Sequence, residues 1–314
     1  MPKPAPTGIA GVGLNVGTAA ERMADLAPAL DRFEALGLDS VEIFLPALGV
    51  VVGGRVRAGA LATLRAICAG RPFALSLHGA LAANFGSAEH FAIQRDVCRA
   101  CLDVAADIGA RVLVHHSAVV RDEGPQTAAR TLGAEAAALV EIAPHAAGAG
   151  VVLAVETMAA RAGEWTAAPS ELARTLDAVG SPWVGATIDF SHAFLATRKR
   201  GLDYLAEIAA LAPHARHLHA HDSFGRPADF RPWSRGDAVM FGFGDLHLPP
   251  GAGALPWEAL AALPYAGPAM ATLELDPRWE DEWPAAIAFM RRWAAAAGAA
   301  RLSADGSAAA RCAL

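Results

Sequence analysis

Residues 151–158 read VVLAVETM, five apolar residues followed by Glu156. The run is short, bounded and rich in β-branched residues, so it reads as a buried strand with a carboxylate at its end. The same signature recurs along the chain. Strands are expected at 8–16 (GIAGVGLNV), 40–46 (SVEIFLP), 73–80 (FALSLHGA), 111–118 (RVLVHHSA), 151–158, 184–191 (VGATIDFS), 215–223 (ARHLHAHDS) and 271–277 (ATLELDP). Between them lie longer Ala/Leu-rich segments with helical spacing, such as 18–37 (TAAERMADLAPALDRFEALG) and 88–109 (AEHFAIQRDVCRACLDVAADIG), each closed by a Gly suited to a helix C-terminus. Strands alternating with helices imply a parallel sheet with helical crossovers. Eight of them imply an α/β fold closed on itself, a (β/α)8 TIM barrel, as a single domain over 1–300. An open doubly wound sheet is the alternative, and it is disfavoured because no G-x-G-x-x-G turn follows the first strand.

Composition agrees with one large core. The chain has 314 residues, 54% hydrophobic, with a mean hydropathy of +0.30. Much of that is alanine, and charges interrupt every apolar run before the roughly 18 residues of a membrane span. The N-terminal MPKPAPTGIAGVG places Pro and Gly where a secretory signal needs an apolar core, so a cytoplasmic location is the expectation. Four cysteines are too few to staple such a domain; Cys98 and Cys101 fall in an expected helix and read as buried residues. A net charge of −6 and a pI near 6.0 argue against nucleic acid as a partner, because phosphate binding needs clustered Lys and Arg. The small-residue tail, 301–314, reads as disordered. The stretch 223–247 is too long for an ordinary connection and is rich in Arg, Phe and Trp, so it reads as a functional insertion loop.

Barrel enzymes build their sites at the C-terminal ends of the strands. Here the third strand ends in His78, the fourth in His115 and His116, the fifth in Glu156, the sixth in Asp189 with His192 three residues on, the seventh in His219, His221 and Asp222, and the eighth in Glu274. The segment 242–253, GFGDLHLPPGAG, adds Asp245 and His247 in front of a Pro/Gly turn. Imidazoles and carboxylates in this mixture suit Zn, Mn or Fe. Glu156 and Glu274 each end an apolar run, and a carboxylate aimed into a barrel needs a cation to offset desolvation. Adjacent strand residues point opposite ways, so only one of His115 and His116 faces inward; His116, nearer the strand end, is the choice and His115 the fallback. His217, His219 and His221 share one parity. His90, His145 and His214 stand alone and read as surface or satisfied core residues.

These strand ends resemble the xylose isomerase-like TIM barrels, the superfamily that holds endonuclease IV-type apurinic endonucleases together with sugar isomerases and epimerases. The resemblance spans about residues 8 to 297. Glu156, Asp189, His219 and Glu274 match its four-ligand metal site, and IDFSHAF (188–194) resembles its D-x-x-H-x-F segment. His78, His116, His192, Asp245 and His247 match the additional ligands of the endonuclease IV branch, which implies two to three ions per chain. Where those endonucleases carry wedge residues after the third-strand His, this sequence has Leu81 and Ala82, which argues against DNA repair.

The expectation is a divalent-metal-dependent enzyme with a multinuclear site acting on a small phosphorylated or polyhydroxylated substrate by metal-hydroxide hydrolysis. The alternative is a sugar or sugar-phosphate isomerase or epimerase in which Glu156 and Glu274 form the acid/base pair. Three divalent ions among four ligand carboxylates would leave about two positive charges and favour an oxyanion, whereas one ion among three leaves one negative charge and favours a neutral polyol. Substrate contacts are expected from His221, Arg226, Arg231, Trp233 and Arg235.

Overall fold

The computed structural model describes residues 8–86, 89–121, 124–226 and 232–311. Eight parallel strands close into a barrel: β1 (Ile9–Asn15), β2 (Ser40–Phe44), β3 (Ala74–His78), β4 (Val112–His116), β5 (Val152–Glu156), β6 (Val184–Asp189), β7 (Ala215–Ala220) and β8 (Ala269–Leu273). Each strand pairs with its sequence neighbours, and β8 closes on β1 through Ile9↔Ala269 to Leu14↔Leu273. All eight expected strands are present. The last is shifted: it begins two residues earlier and stops at Leu273, leaving Glu274 just beyond the ladder, where its N–H still reaches the carbonyl of Ala220 at 3.4 Å.

Helices α1 (Met23–Ala35), α2 (Ala58–Cys68), α3 (Phe91–Asp107), α4 (Pro125–Ala149), α5 (Pro169–Val179), α6 (Phe190–Arg200), α7 (Tyr204–Leu211), α8 (Arg235–Phe241), α9 (Trp257–Ala261) and α10 (Trp283–Arg311) complete the chain. Behind α1 and α3, Gly37 and Gly109 take positive φ values of 64° and 77°. That left-handed geometry ends a helix at little steric cost only for glycine. The core lies between barrel and helices, with Leu14, Leu30, Phe33, Ile43, Leu113 and Leu218 essentially inaccessible. Under α6 and α10 an aromatic cluster fills the layer, with Phe190 5.6 Å from both Trp257 and Trp293. Cys68, Cys98 and Cys101 are free and buried, and burial pushes the Cys101 thiol up to about 12.

Two segments differ from the sequence reading. The backbone of α10 runs on to Arg311 through the stretch read as a disordered tail, in keeping with the high helix propensity of its alanines. The insertion at 223–247 carries a helix, α8, started by the Ser234 hydroxyl, which accepts from Asp237 N at 3.0 Å. Among the described residues no helix is long and apolar enough to cross a membrane.

Candidate metal centre

The sequence sets each strand-end side chain locally before the barrel brings them together. Asp189 is the N-cap of α6: its Oδ1 accepts from His192 N at 2.7 Å, which fixes His192 one turn into the helix and leaves Oδ2 facing inward. Thr157, directly after Glu156, ties β5 to β6 by accepting from Asp189 N at 2.9 Å, and its carbonyl takes the His192 Nδ1–H at 3.2 Å. The 242–253 segment is pinned by Asp222, whose fully buried carboxylate accepts from Ser223 N, Gly251 N, Leu255 N and Trp257 Nε1 at 2.8–3.1 Å. His247 inside it has φ 48°, a left-handed conformation that costs a non-glycine residue about 1–2 kcal/mol. It is held there by Nδ1–H donation to the Glu274 carbonyl at 2.7 Å and by Asp276 N donating to its own carbonyl at 3.1 Å.

All nine residues of the expected ligand set converge at the C-terminal mouth, in three contiguous groups: His78, His116 and Glu156; Glu156, Asp189, His219 and Glu274; and His192, Asp245 and His247, joined by His221. Glu156 stands between the first two. Its Oε2 lies 3.5 Å from the Nε2 atoms of both His78 and His116, while its Oε1 lies 3.2 Å from His219 Nδ1. That Oε2 is buried and has no hydrogen-bond partner among the described residues. With metal–ligand bonds of about 2.0–2.1 Å, a tetrahedral ion sets its ligand atoms roughly 3.3 Å apart. The His78, His116 and Glu156 atoms therefore have the spacing of donors around a common ion. The Nδ1–H groups of His78, His192 and His247 point at backbone carbonyls, of Gly79 (3.1 Å), Thr157 and Glu274, so each Nε2 is turned toward the other candidate ligands, those of His192 and His247 lying 3.1 and 2.8 Å from Asp245 Oδ2. The residues present fit a divalent metal site.

Electrostatics agree. Burial opposes charge on all these groups, but their mutual attraction overrides it for most. His219 holds the Glu156 carboxyl well below the usual range, Glu156 lifts His78 to about 9, and Asp245 lifts His247 to about 9. Asp189 and Asp245 together hold His192 well above its ordinary value. Burial dominates at His116, lowered to about 4 and so neutral with a free lone pair. His115 turns outward from the barrel and stacks on Phe85 at 4.3 Å, where burial lowers it to about 3. The structure thus brings His116, not His115, to Glu156.

A cavity of about 590 Å³ opens above these groups, lined by His78, His116, Glu156, His192, Asp245, His247 and Glu274, and by Phe44, Leu81, Met158, Arg161 and Leu275. The expected substrate contacts need correction. His221 is fully buried, with Nε2 2.9 Å from Asp189 Oδ2, so it belongs to the donor groups beneath the cavity. The Arg226 guanidinium lies over Phe224 and Phe243 and donates to the Phe241 carbonyl at 2.6 Å, which keeps it inside the insertion. Trp233 is 98% exposed and lines neither this cavity nor the adjoining one. Arg235 does line the cavity, paired with Asp276, and Arg231 lies outside the described residues.

Sequence reasoning missed Glu42. This fully buried carboxylate on β2 lies 3.1 Å from His219 Nε2 and 2.8 Å from His217 Nε2. The signal was present, since SVEIF sets a carboxylate inside an apolar strand much as VVLAVE does. It lay two residues short of the strand end, where the rule for barrel sites does not look.

The family model for the xylose isomerase-like TIM barrel matches residues 30–293. Among solved structures the chain is similar to D-psicose 3-epimerase in the presence of D-fructose, at 17% identity and TM-score 0.65 over 90% of this chain and 99% of that one. It is similar to the TTHB071 protein from Thermus thermophilus soaked with ZnCl2, at 23% identity and TM-score 0.60 over 89% and 98%. It is also similar to the IOLI protein with a bound zinc atom, at 14% identity and TM-score 0.67 over 92% and 98%. No curated protein matches the sequence. With a closed eight-stranded barrel and a family match across most of its length, this chain belongs to the xylose isomerase-like TIM barrels.

Proposed function

We propose that the protein is a metal-dependent isomerase or epimerase of a small polyhydroxylated carbonyl compound, of the ketose class. The observation that carries this reading is the placement of Glu156 and Glu274, 3.2 and 3.6 Å from His219 Nδ1, in the lining of a cavity of about 590 Å³. That volume is within the range of small-molecule sites, about 300–1,000 Å³. The fold likeness to D-psicose 3-epimerase supports the same substrate class.

Divalent ions held by Glu156, Asp189, His219 and Glu274 would supply Lewis-acid polarisation of a carbonyl or phosphoryl oxygen. The chain's own carboxylates do the proton work. One takes a proton from the carbon beside the carbonyl, and the other returns a proton to the opposite face. Glu274 suits the more accessible partner: its side chain is 15% exposed against 1% for Glu156, and Asn15 Nδ2 donates to its Oε1 at 3.0 Å, which fixes the direction of Oε2. Met158 and Leu275 present apolar surface that shields this exchange from bulk water, and Phe44 supplies a ring face.

A second reading, hydrolysis of a phosphoester, is favoured by one specific feature: the His78/His116 and His192/Asp245/His247 groups flank the central one, and Glu156 addresses two groups at once. One experiment separates the two. Metal-loaded protein is incubated with ketoses and their phosphates in deuterium oxide, and both deuterium incorporation beside the carbonyl and phosphate release are followed. Exchange that is lost in Glu274→Gln supports the isomerase reading. Phosphate release without exchange replaces it with hydrolysis, and neither signal from fully loaded protein overturns both.

A further inference from the structure

We infer that Glu42 is a positioning residue that selects which nitrogen of His219 faces the metal. The inference rests on the metal-holding part of the proposed function, not on the reaction. At first sight Glu42 is itself a candidate ligand, since it lies within ligand-atom reach of His78, His219 and Glu274. Its partners argue otherwise. Oε1 accepts from Asn15 Nδ2 at 2.6 Å and from His219 Nε2 at 3.1 Å, while Oε2 accepts from Ser76 Oγ at 3.3 Å and lies 2.8 Å from His217 Nε2. Both oxygens are filled, and an ion here would have to displace these contacts from a fully buried group. Glu156 Oε2, by contrast, is buried with no hydrogen-bond partner among the described residues.

The consequence falls on His219. With its Nε2–H committed to Glu42, the lone pair is on Nδ1, and Nδ1 is the atom that faces Glu156 Oε1 (3.2 Å), Glu274 Oε2 (3.6 Å) and Asp189 Oδ2 (3.8 Å). A carboxylate behind a ligating histidine fixes both ring orientation and tautomer. Asn15 extends the control to a second ligand. Its Oδ1 accepts from Gly17 N at 2.6 Å, so its NH2 faces the barrel and donates one hydrogen to Glu42 and the other to Glu274 Oε1. One buried amide thus sets the distance between the carboxylate behind His219 and the carboxylate beside it.

The test reads metal alone. Zn²⁺ affinity per equivalent is measured by chelator competition in wild-type, Glu42→Ala and Glu42→Gln proteins, with thermal unfolding of each metal-free form as the folding control. Glu42→Ala should weaken one equivalent about 10–100-fold. Glu42→Gln should recover most of that loss, because its amide oxygen can still accept from Asn15 and His219 while Ser76 and His217 accept from its NH2. Wild-type affinity in Glu42→Ala overturns the inference, and so does a Glu42→Gln protein as weak as Glu42→Ala, which would make Glu42 a ligand or a simple counter-charge. If Glu42→Ala does not fold, ring-nitrogen NMR of wild-type zinc-loaded protein decides: His219 should be metal-bound at Nδ1 and protonated at Nε2, and the reverse arrangement overturns the inference. Failure of the deuterium exchange would leave these outcomes intact.

Discussion

The rings of His221 and His247 stack face to face, with centroids 4.0 Å apart and planes 6° from parallel. One comes from the end of a barrel strand, the other from a loop more than twenty residues further on, so the stack fixes the loop histidine against the barrel. His247→Ala should remove one metal equivalent. His221→Ala should leave the fold intact but weaken that equivalent about 10–100-fold, because His247 loses its rest and Asp189 loses its partner. Elemental analysis after dialysis, with chelator competition for affinity, checks both.

Asp222 organises the same loop from behind. Asp222→Ala removes the acceptor of three backbone N–H groups and an indole, all in or around buried structure. A loss of about 3 kcal/mol or more is expected, together with the metal equivalent that Asp245 and His247 would hold. Denaturant unfolding and metal content should fall together; a stable variant with full metal content would show that the loop holds its shape without the carboxylate.

Glu156 and His78 should differ in how many ions they control. His78 faces one donor group, whereas the two oxygens of Glu156 face two. His78→Ala is expected to lose one equivalent and most activity with the fold intact, and Glu156→Ala to lose two. Metal stoichiometry by elemental analysis distinguishes this pattern from an equal loss in both.

Glu135, on α4, gives a pH signature separate from the site. Burial raises its carboxyl to about 7, opposed by hydrogen bonds from Ala118 N (2.9 Å) and Ser117 Oγ (3.2 Å). A carboxyl with a raised folded pKa costs the native state nothing below its unfolded value near 4.5 and progressively more as pH rises through 7. Glu135→Gln should therefore stabilise the protein by about 3 kcal/mol above pH 8, with the gain vanishing below about pH 4.5. Unfolding at several pH values tests it, and a pH-independent difference would mean that Glu135 is not protonated in the fold.

How legible all this was in the sequence depended on whether a feature is local. Eight apolar runs separated by helical segments specify parallel strands and crossovers, because each strand is buried on both faces and each helix on one. Strand-end residues such as Glu156 and Asp189 were readable because a strand's direction fixes where its last side chain stands. The D-x-x-H spacing was readable because an N-cap bond over three residues is a local event.

The expected substrate contacts were another matter. Arg226, Trp233 and His221 have the composition of substrate contacts, but whether a side chain meets the cavity depends on tertiary packing: the two insertion residues turn away, and His221, after β7, is buried. Glu42 was readable as a carboxylate in an apolar strand, but its role was not, for a related reason. Its importance lies in four contacts from β1, β3 and β7, 27 to 177 residues distant.

The sequence alone determined the barrel and its strand order, because hydrophobic periodicity is a property of neighbouring residues; strand-end position and the family resemblance together marked out nine candidate ligands. Only the tertiary structure decided that the candidate ligands form three contiguous groups, two of them sharing Glu156, that His116 rather than His115 faces them, and that Glu42 stands behind His219. Those are distances between strands that meet only when the barrel closes, and the cost of burying each charge is met by partners far away along the chain.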